Sequence, residues 1–150
     1  MKASLAKSLS VALSVFLGLA ILATVGAIIY ITNDPNAGEK FTEFYLLGPG
    51  GKAEGYPDEI TLGQSAPVLV GIINREKKPA TYSFDVLVDN TTIYSKGDIR
   101  LQNDGKWEGE APVKPPATGE NRKVEFHLYK DSAAAPYLKL HLFVNVKQGL

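Results

Sequence analysis

Only two histidines occur in this sequence, His127 in "RKVEFHLYK" and His141 in "LKLHLFVNV". Imidazoles ligate transition metals and exchange protons near neutral pH, so their relative placement decides what chemistry is open to them. Both stand in runs where every second residue is apolar, which reads as two half-buried strands. If the hairpin between them turns around Ala134, Val124 faces Val144, Phe126 faces Leu142 and Leu128 faces Leu140. The other face then opposes Lys123 to Asn145, Glu125 to Phe143 and His127 to His141. Directly opposed residues have Cβ atoms about 4.5–5.5 Å apart, close enough for two imidazoles to share a metal ion. Two ligands are too few for a tight zinc site, and Glu125 and Tyr129 are only diagonal neighbours. The expectation is an ordinary solvent-facing or partner-facing pair, with no metal and no cofactor.

Other candidate chemistry is sparse. With no cysteine there is no thiolate nucleophile and no disulfide framework. No serine comes in a recognisable motif with a base and an orienting acid, so no enzymatic activity is expected. Gly48-Pro49-Gly50-Gly51-Lys52 lacks the Gly-x-x-x-x-Gly-Lys-Ser/Thr spacing of a phosphate loop, and no helix follows it. A structural crossover is the better reading. "GDIRLQNDGKWEGE" places Asp98, Asn103, Asp104, Glu108 and Glu110 close together, but not at calcium-loop spacing, and "NDG" reads as a hairpin turn. Trp107 just beyond it is a packing residue or a platform for a partner. Asn90-Thr91-Thr92 is a well-formed acceptor for N-linked sugar, used or unused.

The elements that would carry these residues are mostly strands. Tyr82, Phe84, Val86 and Val88 alternate with polar residues, as do Leu138, Leu140, Leu142, Val144 and Val146. Further strands are expected over Phe41–Leu47, Glu59–Leu62, Ala66–Ile73, Thr91–Ser95, Ile99–Gln102, Lys106–Val113 and Lys123–Lys130, with turns at "GPGG", "NREKKP", "VDN", "KGD" and "KPPATGEN". Roughly seven to nine short strands without intervening amphipathic helices predict an all-β fold, an antiparallel sandwich of immunoglobulin or fibronectin type III type, over residues 41–150.

The N-terminal quarter differs. Residues 9–32, "LSVALSVFLGLAILATVGAIIYIT", carry no charge and as a helix would span roughly 36 Å, enough for a bilayer core. Lys2 and Lys7 lie in the expected cytoplasmic segment 1–8, whereas Asp34 and Glu39 follow the span in a linker over 33–40. That charge bias predicts a single-pass cell-membrane protein with its N-terminus inside and the sandwich outside. A cleaved signal peptide is the rival reading, with Val25 and Ala27 at a passable cleavage site, but the apolar core exceeds the usual length of about 7–15 residues. Gly18 and Gly26 would let the helix pack on partner helices, although no strict Gly-x-x-x-Gly occurs. Sixteen Lys plus Arg balance sixteen Asp plus Glu. Such a balance gives no basic field for nucleic acid.

"FTEFYLLGPGGKAEGYP", "LGQSAPVLVGIINREKKPATYSFDVLVD", "DGKWEGE" and "RKVEFHLYK" together resemble the C-terminal region of the family known as domain of unknown function 1616. The resemblance implies a mainly archaeal membrane protein ending in an extracytoplasmic immunoglobulin-like domain, with one span here where many relatives have several. It supplies no catalytic residues. The function expected is a non-enzymatic, membrane-anchored cell-surface module that binds protein, glycan or cell-envelope material. Its rival is an accessory subunit of a larger membrane complex, the span packing on partner helices and the sandwich capping the outer face. A metal-dependent or sugar-processing enzyme is a third and weaker reading. Membrane lipid and other membrane or envelope proteins are the expected partners. Phe44, Tyr45 and Trp107 are candidates to face them, because Phe41–Leu47 is apolar on both strand faces.

Overall fold

The computed structural model describes residues 1–34 and 38–150. The centre of the expected linker, residues 35–37, lies outside the described residues. The chain divides into two compact units, Met1–Glu39 and Lys40–Leu150.

The first unit is the helix α1, Lys2–Asn33, apolar all round and long enough to cross a membrane. A hydrocarbon environment offers hydroxyls no water, so they must bond within the helix. Ser10, Ser14, Thr24 and Thr32 do so, each donating to a carbonyl three or four residues earlier at 2.9 Å. This one apolar helix suggests a single-pass membrane or signal-anchor protein.

In the second unit eight strands form a sandwich: β1 Phe41–Leu47, β2 Glu59–Thr61, β3 Ala66–Arg75, β4 Ala80–Val88, β5 Thr91–Leu101, β6 Lys106–Val113, β7 Gly119–Lys130 and β8 Leu138–Lys147. One sheet has the order β1-β3-β6 and the other β2-β8-β7-β4-β5. Alternation drives this arrangement, because on a pleated strand it sends every second side chain to one face. Val68, Val70 and Ile72 of β3 with Ala111 and Val113 of β6 meet Tyr82, Phe84, Val86, Val124, Phe126, Leu128 and Val144 of the opposing sheet. Each large apolar side chain so buried stabilises by about 1.5–3 kcal/mol. The all-β immunoglobulin-like sandwich expected from the sequence is the observed fold.

Four local expectations are corrected. "KGD" does not end a strand: β5 runs through it, and Gly97-Asp98 forms a bulge where pairing shifts between Tyr82↔Ile99 and Phe84↔Lys96. "NDG" turns the chain from one sheet to the other and is not a hairpin, since β5 and β6 belong to different sheets. β2 pairs parallel with β8, so the sandwich is not wholly antiparallel.

The fourth correction is the β7–β8 register. Val124 pairs with Leu142, Phe126 with Leu140 and Leu128 with Leu138, two residues from the expected pairing. A shift of one residue would exchange the faces, but a shift of two keeps them, so alternation cannot choose between these registers. The turn chooses. Asp131 and Ser132 adopt left-handed φ of 51° and 58°. Asp131 is clamped to β4, its N–H donating to the Thr81 carbonyl (2.8 Å) and its Oδ1 accepting from the Thr81 N–H (3.0 Å). Tyr137 N–H then closes on the Leu128 carbonyl at 2.7 Å.

Candidate functional site

The two long sides of the sandwich are finished differently. On the β5–β6 side, Trp107 closes the gap. Its ring is half-buried, centred 5.8 Å from that of Phe84, which also meets Tyr94 at 6.1 Å. Both edges there carry the usual protection against pairing with another chain, namely the Gly97-Asp98 bulge with Lys96 and Arg100 on β5, and Pro112 on β6.

The β1–β8 side is open. β1 is the end strand of its sheet, and β2 covers β8 only at Asn145–Lys147. Leu138 to Val144 of β8 therefore present an edge that pairs with no described strand. Phe44 and Leu46 of β1 and Leu140 and Leu142 of β8 point into the gap and stay half-buried, while Val124, Phe126 and Leu128 beside them are fully buried. The result is a groove of about 390 Å³, with Tyr45, Tyr56 and His141 also lining it. Apolar concavity beside unpaired strand edges is suited to an extended peptide, which can add backbone hydrogen bonds and place alternate side chains in the gap.

The "GPGG" stretch leads into Tyr56 of the groove lining. Gly48 N–H donates to the Lys52 carbonyl at 2.8 Å, and the Tyr56 hydroxyl donates to the Leu46 carbonyl at 2.8 Å. A Cβ on Gly48 would lie 2.0 Å from the Glu54 carbonyl oxygen, so no side chain fits without opening the loop. Gly48→Ala should therefore cost about 1–3 kcal/mol. A Cβ on Gly50 meets nothing within 4 Å. Gly50→Ala should stay within about 0.5 kcal/mol. Urea unfolding of the two variants checks this; equal losses would mean that the close approach at Gly48 is unimportant.

A buried polar cluster ties five segments together where β1 begins. The Glu76 carboxylate, 5% exposed, accepts from the Thr42 hydroxyl (2.8 Å) and the Tyr137 hydroxyl (2.7 Å), with Lys130 Nζ at 3.3 Å. An ionised carboxylate only accepts, so the single Thr42 proton goes to Glu76, and Tyr82, 2.8 Å from Thr42 Oγ1, must donate to Thr42. Burial alone would raise the Glu76 pKa, but the bonds from Tyr137, Thr42 and Lys130 together hold it below the ordinary carboxylate value. The same carboxylate pushes the Tyr137 phenol up to about 12. Beneath it, buried Asn74 bonds to Lys78 and Leu101 carbonyls and accepts from Glu76 N–H, joining the β3–β4 turn to the chain leaving β5. No signal in "NREKKP" announced this cluster.

The histidines share a face but are not opposed, which corrects the expected pair: His127 faces Lys139 and Asp85, and His141 faces Glu125. His127 Nε2 is buried without a hydrogen-bond partner and lies 3.7 Å from Glu125 Oε1. His141 makes an edge contact with Phe143 at 5.5 Å. Among the described residues no group of three His, Asp or Glu side chains could hold a metal ion. The oxygen-rich "NDGKWEGE" region is held by cations of this chain instead, Asp104 by Arg75 (2.8 Å) and Glu108 by Lys106 (2.9 Å), with Tyr45 donating to Glu108 at 2.6 Å. Tyr45 also lies over Gly71, where any Cβ would collide with its ring. Of the candidates for partner contact, Phe44 and Tyr45 line the groove, whereas Trp107 packs on the core at the other side. Sequence reasoning missed Leu46, Tyr56, Leu140 and Leu142 as groove residues; the only hint was that β1 is apolar on both faces. Asn90 is exposed at the β4–β5 turn.

The fold has solved counterparts. It is similar to the CARDB domain of the PF1109 protein from Pyrococcus furiosus, whose crystal structure in complex with di-metal ions superposes with a TM-score of 0.52 at 12% identity, covering 71% of this chain and 88% of that one. The solution structure of the same domain gives 0.52 at 12% identity, covering 73% of this chain and 98% of that one. No curated protein matches the sequence. Residues 35–145 match the family described as "Domain of unknown function (DUF1616)", and this chain therefore belongs to that family.

Proposed function

We propose that this protein is a non-enzymatic, membrane-anchored interaction module, and that its sandwich receives an extended, alternately apolar segment of another membrane or envelope protein along the β1–β8 side. One observation carries the reading: strand edges without a described partner flank an apolar groove of about 390 Å³ on this side, while the β5–β6 side is closed and protected. Both the outside location of the sandwich, read from Lys2 and Lys7 before the span and Asp34 and Glu39 after it, and the protein nature of the partner belong to this proposal.

A photoreactive side chain replacing Phe44 or Leu142 in the full-length protein, irradiated in native membranes, should join to an extended segment of one discrete protein. The same probe replacing Pro112 should not. Leu46→Asp should weaken binding of a synthetic peptide copied from that segment at least tenfold, about 1.4 kcal/mol. Equal labelling from all three positions, or labelling of carbohydrate alone, would overturn the reading. A partner that stays bound through detergent extraction and sizing would favour the stable accessory-subunit form of the same function.

A further inference from the structure

We infer that Asn90 is an N-glycosylation site, an inference that rests on the outside location proposed above. Asp89 and Asn90 are the two central residues of the β4–β5 hairpin, with φ of 46° and 69°, the left-handed pair that a tight two-residue hairpin turn requires. Glycine commonly takes the second place in such turns; here it is asparagine, with Thr92 two residues on.

The turn presents the acceptor well. Asp89 is held from behind, bonded through its carboxylate to Arg122 and to the Lys123 N–H (3.2 Å), while Asn90, Thr91 and Thr92 are exposed. The acceptor amide and the Thr92 hydroxyl are thus accessible on a tip whose shape is fixed by its neighbour. The tip is also well placed for a sugar. β4 leads away from the Glu76 end, where β1 begins, so Asn90 lies about 30 Å along the strands from that end. It belongs to the β4–β5 side, across the five-stranded sheet from β8. A glycan there would extend from the β4–β5 tip beside the β5 edge.

The reaction is a transfer from a glycan carried on a lipid phosphate or pyrophosphate, made by a membrane transferase that reads the hydroxyl at the third position. Asn90 Nδ2 attacks the anomeric carbon, the bond from that carbon to the phosphate oxygen breaks, the lipid phosphate leaves with the bonding pair, and one Nδ2 proton is lost to base. No oxidant or reductant is needed.

The full-length chain, expressed in a host that N-glycosylates extracytoplasmic proteins, should carry a glycan mass by intact-protein mass spectrometry. Asn90→Gln and Thr92→Ala should each remove it, and Thr92→Ser should keep it. Pro116→Asn, in an exposed connection, adds a second acceptor with Thr118 as its hydroxyl residue and reports location independently. If wild type is unmodified while Pro116→Asn gains sugar, the domain is outside and the Asn90 assignment is overturned. If neither gains sugar, the outside location fails and the assignment fails with it. A mass increment that survives in Asn90→Gln also overturns it.

Discussion

Glu76→Ala should destabilise the sandwich by about 1–3 kcal/mol, because removing the shared acceptor leaves the buried Thr42 hydroxyl without one. The loss is not shared evenly among its partners. Tyr137 is 39% exposed and the Lys130 side chain 22%, so both can turn toward water. Tyr82 and Thr42, at 1% and 7%, cannot. Tyr82 still donates to Thr42, so the Thr42 proton that loses its acceptor dominates the expected effect. Urea unfolding of a chain beginning at Lys40, a compact unit with its own core, measures it. A loss below about 1 kcal/mol would show that the cluster behaves like a surface ion pair.

The same network sets limits in pH. The folded Glu76 pKa is depressed, so its contribution is present above the unfolded value, about 4.3, and is lost as pH falls through the folded one. Tyr137 has the opposite sign. Its pKa rises from 10.0 to about 12, so its contribution is present below the unfolded value and is lost as pH climbs through the folded one. Glu76→Gln should flatten the acid limb of the stability profile, and Tyr137→Phe the alkaline limb. Unchanged limbs would assign the pH dependence to other groups.

Phe84→Ala should cost roughly 3–5 kcal/mol, through the lost apolar contact and the cavity left behind. Phe84 is fully buried in β4, between β5 and β7, and its ring supports Trp107 from the opposing sheet and Tyr94 from β5. Because Trp107 is the only tryptophan, its fluorescence should shift to longer wavelength as its support goes. A double-mutant cycle with Trp107→Ala should return a coupling of about 0.5–1.5 kcal/mol. Phe143→Ala, at a side chain 52% exposed, should change stability by about 0.5 kcal/mol or less. If the two phenylalanine variants lose equally, the core has been misplaced.

What the sequence determined by itself is local and periodic. Tyr82 to Val88 and Leu138 to Val146 revealed both their strands and their buried faces, since the face a residue takes depends on its neighbours at i±2. β1 ended at Leu47 and β6 began at Lys106, as expected, beside the turn glycines Gly48 and Gly105. The uncharged run before Asn33 disclosed α1, because length and composition suffice for an apolar helix. Tertiary structure decided whatever depends on distant partners. Two registers of β7 on β8 satisfy the alternation equally, and the choice was made by Asp131 bonding to Thr81, 50 residues away. Glu76 reads as part of a polar turn until the fold brings it Thr42 from 34 residues away and Tyr137 from 61. β1 was visibly apolar on both faces, yet whether that surface would be covered depended on sheet order and on β2 stopping short along β8. A strand's composition fixes which side chains seek burial; only closure of the chain on itself determines which of them find it.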